Sequence, residues 1–538
     1  MWKSFFDYMN GTVAAIGRAQ EASLLAALRS MELTTNTYAR LWGFNGEEVI
    51  QSDKRFKDDA WQNNLAADVM KQAYLITASW MEDSADGLAA IDPQIHQRTK
   101  FWTKQIADGF SPTNFALTNP AVMQETIRTG GTNLARGMQN LYDDLQSGRI
   151  SQVPEGSFKV GENLALTPGE VVYRNPLIEL IQYSPTTEEV NEIPILAIPP
   201  WINKYYVMDL SPKNSMYKYL VESGFTVFTI SWKNPDESIL DLEWDDYMDL
   251  GPLDALRVIK DITGAEQVNT IGYCLGGIIQ QVTLAYLARI EDDTVNTATY
   301  FATHQDFSNA GDVTVFISDP EVEYLEWLIK TSGGYLDGRN MAATFSMLRA
   351  NDLLWNYVVN NYLMGKQPPA FDLLYWNSDG TRVPGRVHSF LVREFFLKNK
   401  LMEPNGINVK GAGVDLEQIT TPTYTVAATA DHIVPWQGAF LMRELQGSPV
   451  RFVLSTGGHI AGIINHPDKS KRVYWTNDSD TTDPEDWLQD AEEHKGSWWI
   501  DWVPWLEGHS GKKVAPPSMG NEEYTPITSA PGTYVLEK

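Results

Sequence analysis

A β-rich run at 268–272, the pentapeptide Gly272-Tyr273-Cys274-Leu275-Gly276 and the helical run GGIIQQVTLAYLARI follow one another without a gap. The order is strand, tight turn, helix, and the turn carries the G-x-S-x-G pattern with Cys in place of Ser. A nucleophile on such a turn adopts strained backbone angles, and the positions two residues to either side must lack bulk. The turn sets the sulfur at the N-terminus of the next helix, where the helix dipole favours thiolate. The Leu275 N–H then becomes a donor for an oxyanion. Cys274 is the one cysteine in 538 residues, so no intramolecular disulfide and no CxxC metal or redox site can form. The unit also has neighbours of its own kind. Short apolar or β-rich runs at 193–198, 225–232, 297–302, 423–428 and 450–454 alternate with helical patterns. This predicts an α/β fold around a mostly parallel sheet.

With this elbow, the acid and the histidine are expected at the ends of later strands, in that order. The run TPTYTVAATA leads to Asp431, within ADHIVPW, and RFVLSTGG leads to His459, within GGHIAGIINHP. The gap between them accommodates one helix, QGAFLMRELQ. His432 adjoins Asp431, but sequence neighbours point apart. His466 falls on the segment after His459. His304 and Asp306 both follow a strand; the first reads as structural and the second as the alternative acid. A second oxyanion donor is expected from the loop Pro199-Pro200-Trp201-Ile202-Asn203-Lys204-Tyr205-Tyr206. The backbone N–H groups of Trp201 and Ile202 are the candidates there, since prolines have none.

Lys and Arg number 42 against 69 Asp and Glu, a net charge of −27. That balance argues against nucleic-acid binding and against a polybasic membrane anchor. Hydrophobic residues make up 43%, which argues against a disordered chain. Asp7, Asn10 and Gly11 interrupt the first apolar run, so no signal peptide is expected, and no stretch reaches the ~18 apolar residues of a transmembrane helix. Trp2, Phe5, Phe6 and Met9 instead recur at helical spacing. Residues 1–180 read as a mainly helical N-terminal domain, with helical runs at 60–81 and 120–145. Residues 181–538 read as the catalytic domain. The aromatic, helical stretch at about 307–400 interrupts the strand rhythm and reads as a lid insertion. The tail beyond about residue 508 is rich in Pro, Gly and Ser and is expected to be irregular. HExxH, P-loop and GxGxxG motifs are absent, so neither a metal nor a cofactor is expected.

Several long segments now carry a family resemblance: DKRFKDDAW (53–61), SPTNFALTNP (111–120), IPPWINKYYVMDLSPKNSM (198–216), TVFTISWKNPD (226–236), WDDYM (244–248), IGYCLGG (271–277), FDLLYWNSDGTRVPG (371–385), ADHIVPWQGAF (430–440) and GHIAGIIN (458–465). The chain resembles a class I polyhydroxyalkanoate synthase over nearly its whole length. The resemblance implies an α/β-hydrolase fold with a helical lid, preceded by a helical domain for dimer or granule association. It implies polymerisation of (R)-3-hydroxyacyl-CoA, by default of short chains such as 3-hydroxybutyryl, with release of CoA. CoA is then part of the substrate and a product, not a cofactor. It also implies a homodimer in the cytoplasm at the surface of polyester granules. Carried over, Cys274 bears the acyl group, His459 is the base and Asp431 the third member. His304 departs from the pattern, which expects an apolar residue there. The segments do not resemble a thiol hydrolase of the same fold, such as a polyester depolymerase or lactone hydrolase, and the intact elbow argues against a non-catalytic granule coat protein. CoA phosphates need cations despite the acidic balance. Arg382, Arg386, Arg393 and Lys398 form the densest basic stretch near the lid's end, and Arg393 is the expected CoA contact.

Overall fold

Six of the apolar runs become the parallel centre of one sheet. The computed structural model describes residues 2–44, 49–50 and 53–538, with backbone alone for 2–10 and 469. Eleven strands form the sheet: β1 Gly169–Arg174, β2 Ile178–Tyr183, β3 Ile195–Ile198, β4 Val227–Trp232, β5 Val268–Tyr273, β6 Val295–Phe301, β7 Thr423–Ala428, β8 Val450–Ser455, β9 Val473–Thr476, β10 Glu492–Lys495 and β11 Thr528–Ser529. Their spatial order is β10-β9-β8-β7-β6-β5-β3-β4-β2-β1-β11. Strands β4, β3, β5, β6, β7 and β8 pair in parallel. Every residue of β3, β4, β5 and β7 is buried. Of these four only β3 is apolar throughout; β4, β5 and β7 mix Thr, Ser or Asn with β-branched and aromatic residues and were legible as β-rich runs. The remaining strands add antiparallel pairs at both edges. In the tail expected to be irregular, β11 pairs with β1, at Glu170 with Ser529 and Val171 with Thr528. Trp498, Trp499 and Trp502 are fully buried in the core that includes Phe301 and Tyr424.

The chain divides into two compact units, one of Met1–Pro154 with Ala343–Ala370, the other of Glu155–Ala342 with Phe371–Lys538. This differs from the division expected at residue 180, because β1 and the start of β2 already belong to the sheet. It also splits the expected lid at 307–400. The physical reason lies in helix packing within the first unit. That unit contains α1 Trp2–Leu41, α2 Leu65–Asp86, α3 Pro93–Gly109, α4 Pro120–Thr129 and α5 Thr132–Ser147. On α5, a Cβ at Gly137 would lie 1.7 Å from the Tyr362 carbonyl oxygen, so backbone meets backbone there. Asn133 Nδ2 donates to Leu363 O at 2.9 Å, and Tyr362 OH donates to Asp144 Oδ2 at 2.6 Å. These contacts bind 343–370 to the helical unit. The helical run expected at 120–145 is two helices, separated where Gly130 and Gly131 take φ of 62° and 85°. Helix α1 spans the expected N-terminal amphipathic segment, but the side chains of Trp2, Phe5, Phe6 and Met9 lie outside the described residues. Among the described residues no helix is long and apolar enough to cross a membrane.

Candidate active site

Three parallel strands, β5, β7 and β8, with β6 lying between the first two, each lead to one of the expected side chains. At the end of β5 the chain turns into helix α6, Leu275–Arg289, with Cys274 at its N-cap position. Cys274 has φ 52° and ψ −118°, a strained conformation for a residue with a side chain. The turn exists because its flanks have none. A Cβ on Gly272 would lie 2.5 Å from Gly277 Cα, and one on Gly276 would lie 1.9 Å from Ile198 O. The second contact also presses the elbow against the start of the loop after β3. The Cys274 N–H donates to Phe301 O at 2.9 Å, which ties the nucleophile to the end of β6. Leu275 is the first residue of the helix, so its N–H has no acceptor within it.

Asp431 follows β7 and His459 follows β8. His459 Nδ1 donates to Asp431 Oδ2 at 2.7 Å. The other carboxylate oxygen, Oδ1, accepts from the Ile433 and Val434 N–H groups, each at 2.9 Å. The Asp431 side chain is wholly buried, yet both its oxygens are satisfied. Burial alone would raise its pKa; the His459 charge, the hydrogen bond to it and the two amides outweigh burial and hold it below the usual carboxylate range. His459 is opposite in sign. Burial favours its neutral form, but the Asp431 charge, the Cys274 sulfur and hydrogen bonds to both hold the imidazole well above its usual range. The structure therefore brings together Cys274, His459 and Asp431 as a charge-coupled line. The arrangement can move a proton from the thiol to the ring and keep the resulting imidazolium in place.

Tyr273 completes the setting and was not singled out in the sequence. Its ring stacks on His459 with centroids 5.6 Å apart, and its OH donates to His459 O at 3.1 Å. Its only sequence signal was its place inside the elbow. Burial, Cys274 and Asp431 together hold its phenol protonated, so it acts as a neutral donor. The loop after β3 carries Trp201 and Ile202, both buried. The Trp201 ring packs edge-on against Trp232, Trp244 and Tyr247.

The alternatives sort themselves by their partners. Asp306 accepts from Ser308 N and Oγ and from Asn399 Nδ2, a loop-tying role. His466 packs edge-on against Tyr219 and Trp499. The backbone carbonyl of His432 accepts from Asp312 N. His304 is 4% exposed, with Phe307 and Phe396 around its ring. Burial pushes its imidazole down to about 4, against the pull of the Asp431 charge, so it is neutral at pH 7.

The expected CoA-binding cations all have partners within the protein. Arg393 is locked in a two-pronged ion pair with Glu326, both contacts at 2.9 Å. Arg386 pairs with Asp241 and Glu243, and Lys398 with Glu394. Arg382 donates to Pro235 O and lies over the Tyr335 ring. Arg386, Arg393 and Lys398 are thus paired with carboxylates that the spacing of the basic stretch could not reveal. Arg393 is engaged by Glu326, in a pair that stays partly exposed.

The sheet, the elbow and the buried acid–histidine pair define a protein of the α/β-hydrolase class. Residues 203–465 match the alpha/beta hydrolase fold family, and residues 52–220 match the N-terminus of poly-beta-hydroxybutyrate polymerase (PhaC). The chain is 43% identical to the poly(3-hydroxyalkanoate) polymerase subunit PhaC of Cupriavidus necator over 93% of its length and 87% of that protein's. It is 40% identical to the subunit of the same name from Rhizobium meliloti, over 99% of this chain and 90% of that one. A solved monoacylglycerol lipase from Paleococcus ferrophilus aligns with 62% of this chain and 99% of its own, at 16% identity and a TM-score of 0.36. The chain belongs to the poly(3-hydroxyalkanoate) polymerase family. It is an acyltransferase of polyester synthesis.

Proposed function

We propose that this enzyme polymerises (R)-3-hydroxyacyl-CoA, by default 3-hydroxybutyryl-CoA, through a thioester on Cys274. The observation that carries this reading is the coupling of the elbow cysteine to the buried His459–Asp431 pair, in a chain of the polymerase family. His459 takes the thiol proton, and the Cys274 sulfur attacks the thioester carbonyl. The carbonyl oxygen becomes an oxyanion, met by the Leu275 N–H and by the Trp201 or Ile202 N–H. Collapse breaks the bond to the CoA sulfur, which leaves as the thiol with the proton from His459. Thioester is exchanged for thioester, so little bond energy is lost and the acyl group stays activated. A 3-hydroxyl then attacks an acyl thioester with His459 as base; an ester bond forms and the thiol is regenerated. Asp431 holds the ring in register and stabilises its charge throughout. Within the same reading the enzyme works as a homodimer in the cytoplasm, at the surface of the polyester granule it builds.

The test is incubation with 3-hydroxyacyl-CoA of increasing chain length, with the Cys274→Ala variant as control. Polymer and free CoA are expected from the four- and five-carbon substrates, and neither from the variant. Free 3-hydroxy acid in place of polymer would overturn the reading in favour of a thiol hydrolase. Polymer from Cys274→Ala would overturn the nucleophile assignment, and a wild-type protein that consumes no acyl-CoA would leave a granule coat role.

A further inference from the structure

The loop after β3 carries both candidates for the second oxyanion donor, yet a distant segment holds it in place. Residues 372–380 lie along it and grip it at successive points. Asp372 Oδ2 accepts from Ser211 Oγ at 2.6 Å and from Asn214 Nδ2 at 2.9 Å. Trp376 Nε1 donates to Lys204 O at 2.7 Å. Asp379 pairs with Lys204 Nζ at 3.1 Å through Oδ1 and accepts from Tyr206 OH at 2.7 Å through Oδ2. Asn203 and Gly380 form an antiparallel bridge. At the loop's start, Trp232 Nε1 donates to Pro199 O at 2.8 Å. Trp201 and Ile202 therefore sit between two indole clamps, one at Pro199 and one at Lys204. Trp376 is 3% exposed and the Lys204 side chain 4%, so water offers neither group a substitute partner.

We propose that Trp376 and Asp379 are positioning residues for acyl transfer. They touch neither thiol nor base; they fix residues 203–206 so that the donor N–H, of Trp201 or Ile202, stays aimed at the oxyanion. The inference rests on the acyl-transfer reading above. Oxyanion donors must be held within about 0.5 Å of their productive place, and a misplacement of about 1 Å costs on the order of 100-fold in rate. Lys204 adds a penalty of its own, since removing Asp379 strands a buried ammonium.

Trp376→Phe deletes the indole N–H and keeps an aromatic ring, while Asp379→Asn keeps an acceptor for Tyr206 and deletes the charge facing Lys204. Two rates are read on each: CoA release from 3-hydroxybutyryl-CoA, and alkylation of Cys274 by iodoacetamide. Alkylation displaces iodide at a saturated carbon and develops no oxyanion, so it reports the Cys274–His459 pair alone. Both variants are expected to lose about 10- to 100-fold in kcat, with KM and the alkylation rate each within about twofold of wild type. An unchanged kcat would overturn the proposal. So would an alkylation rate that falls in step with kcat, because that marks a general collapse of the site or the fold. A wild-type enzyme that is alkylated but releases no CoA would overturn the acyl-transfer reading, and this inference with it.

Discussion

Two strand-end loops meet at the nucleophile, and they are held by opposite means. The elbow after β5 is kept in shape by the absence of side chains: Gly272 and Gly276 let backbone approach backbone at distances no Cβ allows. The loop after β3 is kept in shape by added side chains, the indoles of Trp232 and Trp376 and the carboxylate of Asp379. The first device is local and rigid, and its determinants lie within a few residues of the nucleophile. The second depends on a segment more than 150 positions further along the chain. A site can thus have one half encoded by a pentapeptide and the other by tertiary contacts.

The sharpest way to break this contrast is Gly276→Ala. Its methyl group would meet the Ile198 carbonyl, a backbone atom that cannot turn aside. CoA release is expected to fall by at least about 10³-fold, with a loss of stability on the order of 3 kcal/mol in chemical unfolding. Retention of a tenth of the activity would show that the elbow tolerates bulk. Next comes Asp431→Asn, with an expected loss of about 10²- to 10³-fold in kcat. Without the carboxylate, His459 loses the main charge that holds its proton. The alkylation rate of Cys274 at pH 7 should therefore fall as well, in contrast to the clamp variants.

A smaller effect is expected at His304. Its folded pKa of about 4 lies below the ordinary value of 6.5. Between those limits the unfolded chain binds a proton that the native one does not, so this group makes stability fall as pH drops from about 6.5 towards 4. By pH 5 that amounts to about 2 kcal/mol. Urea midpoints at pH 7 and pH 5 should lie closer together in His304→Leu than in wild type; an equal spacing would contradict the burial of a neutral ring. His459 acts in the other sense, since its raised pKa gives a contribution present below about pH 6.5 that is lost as pH climbs through the folded value. The smallest effect is expected for Arg393→Ala. Its ion pair with Glu326 is partly exposed and worth at most about 1 kcal/mol. KM for the acyl-CoA should stay within about twofold, and a tenfold rise would restore Arg393 as a phosphate contact.

The sequence by itself determined what depends on neighbours in the chain. Buried parallel strands announce themselves as apolar or β-rich runs, and the elbow announces itself by its glycines. Asp431 and His459, which the fold pairs, stood out because each lies a few residues beyond a strand-like run. Only the tertiary structure decided what depends on partners far away. It assigned 343–370 to the helical unit, because Gly137 lets Tyr362 approach. It paired Arg393, Arg386 and Lys398 with Glu326, Asp241, Glu243 and Glu394, and it turned Trp376 from an anonymous lid aromatic into a hydrogen-bond donor. The physical reason is the same throughout. Backbone geometry and hydrophobic period are written in consecutive residues, whereas a charge or an N–H has no meaning until folding supplies its partner.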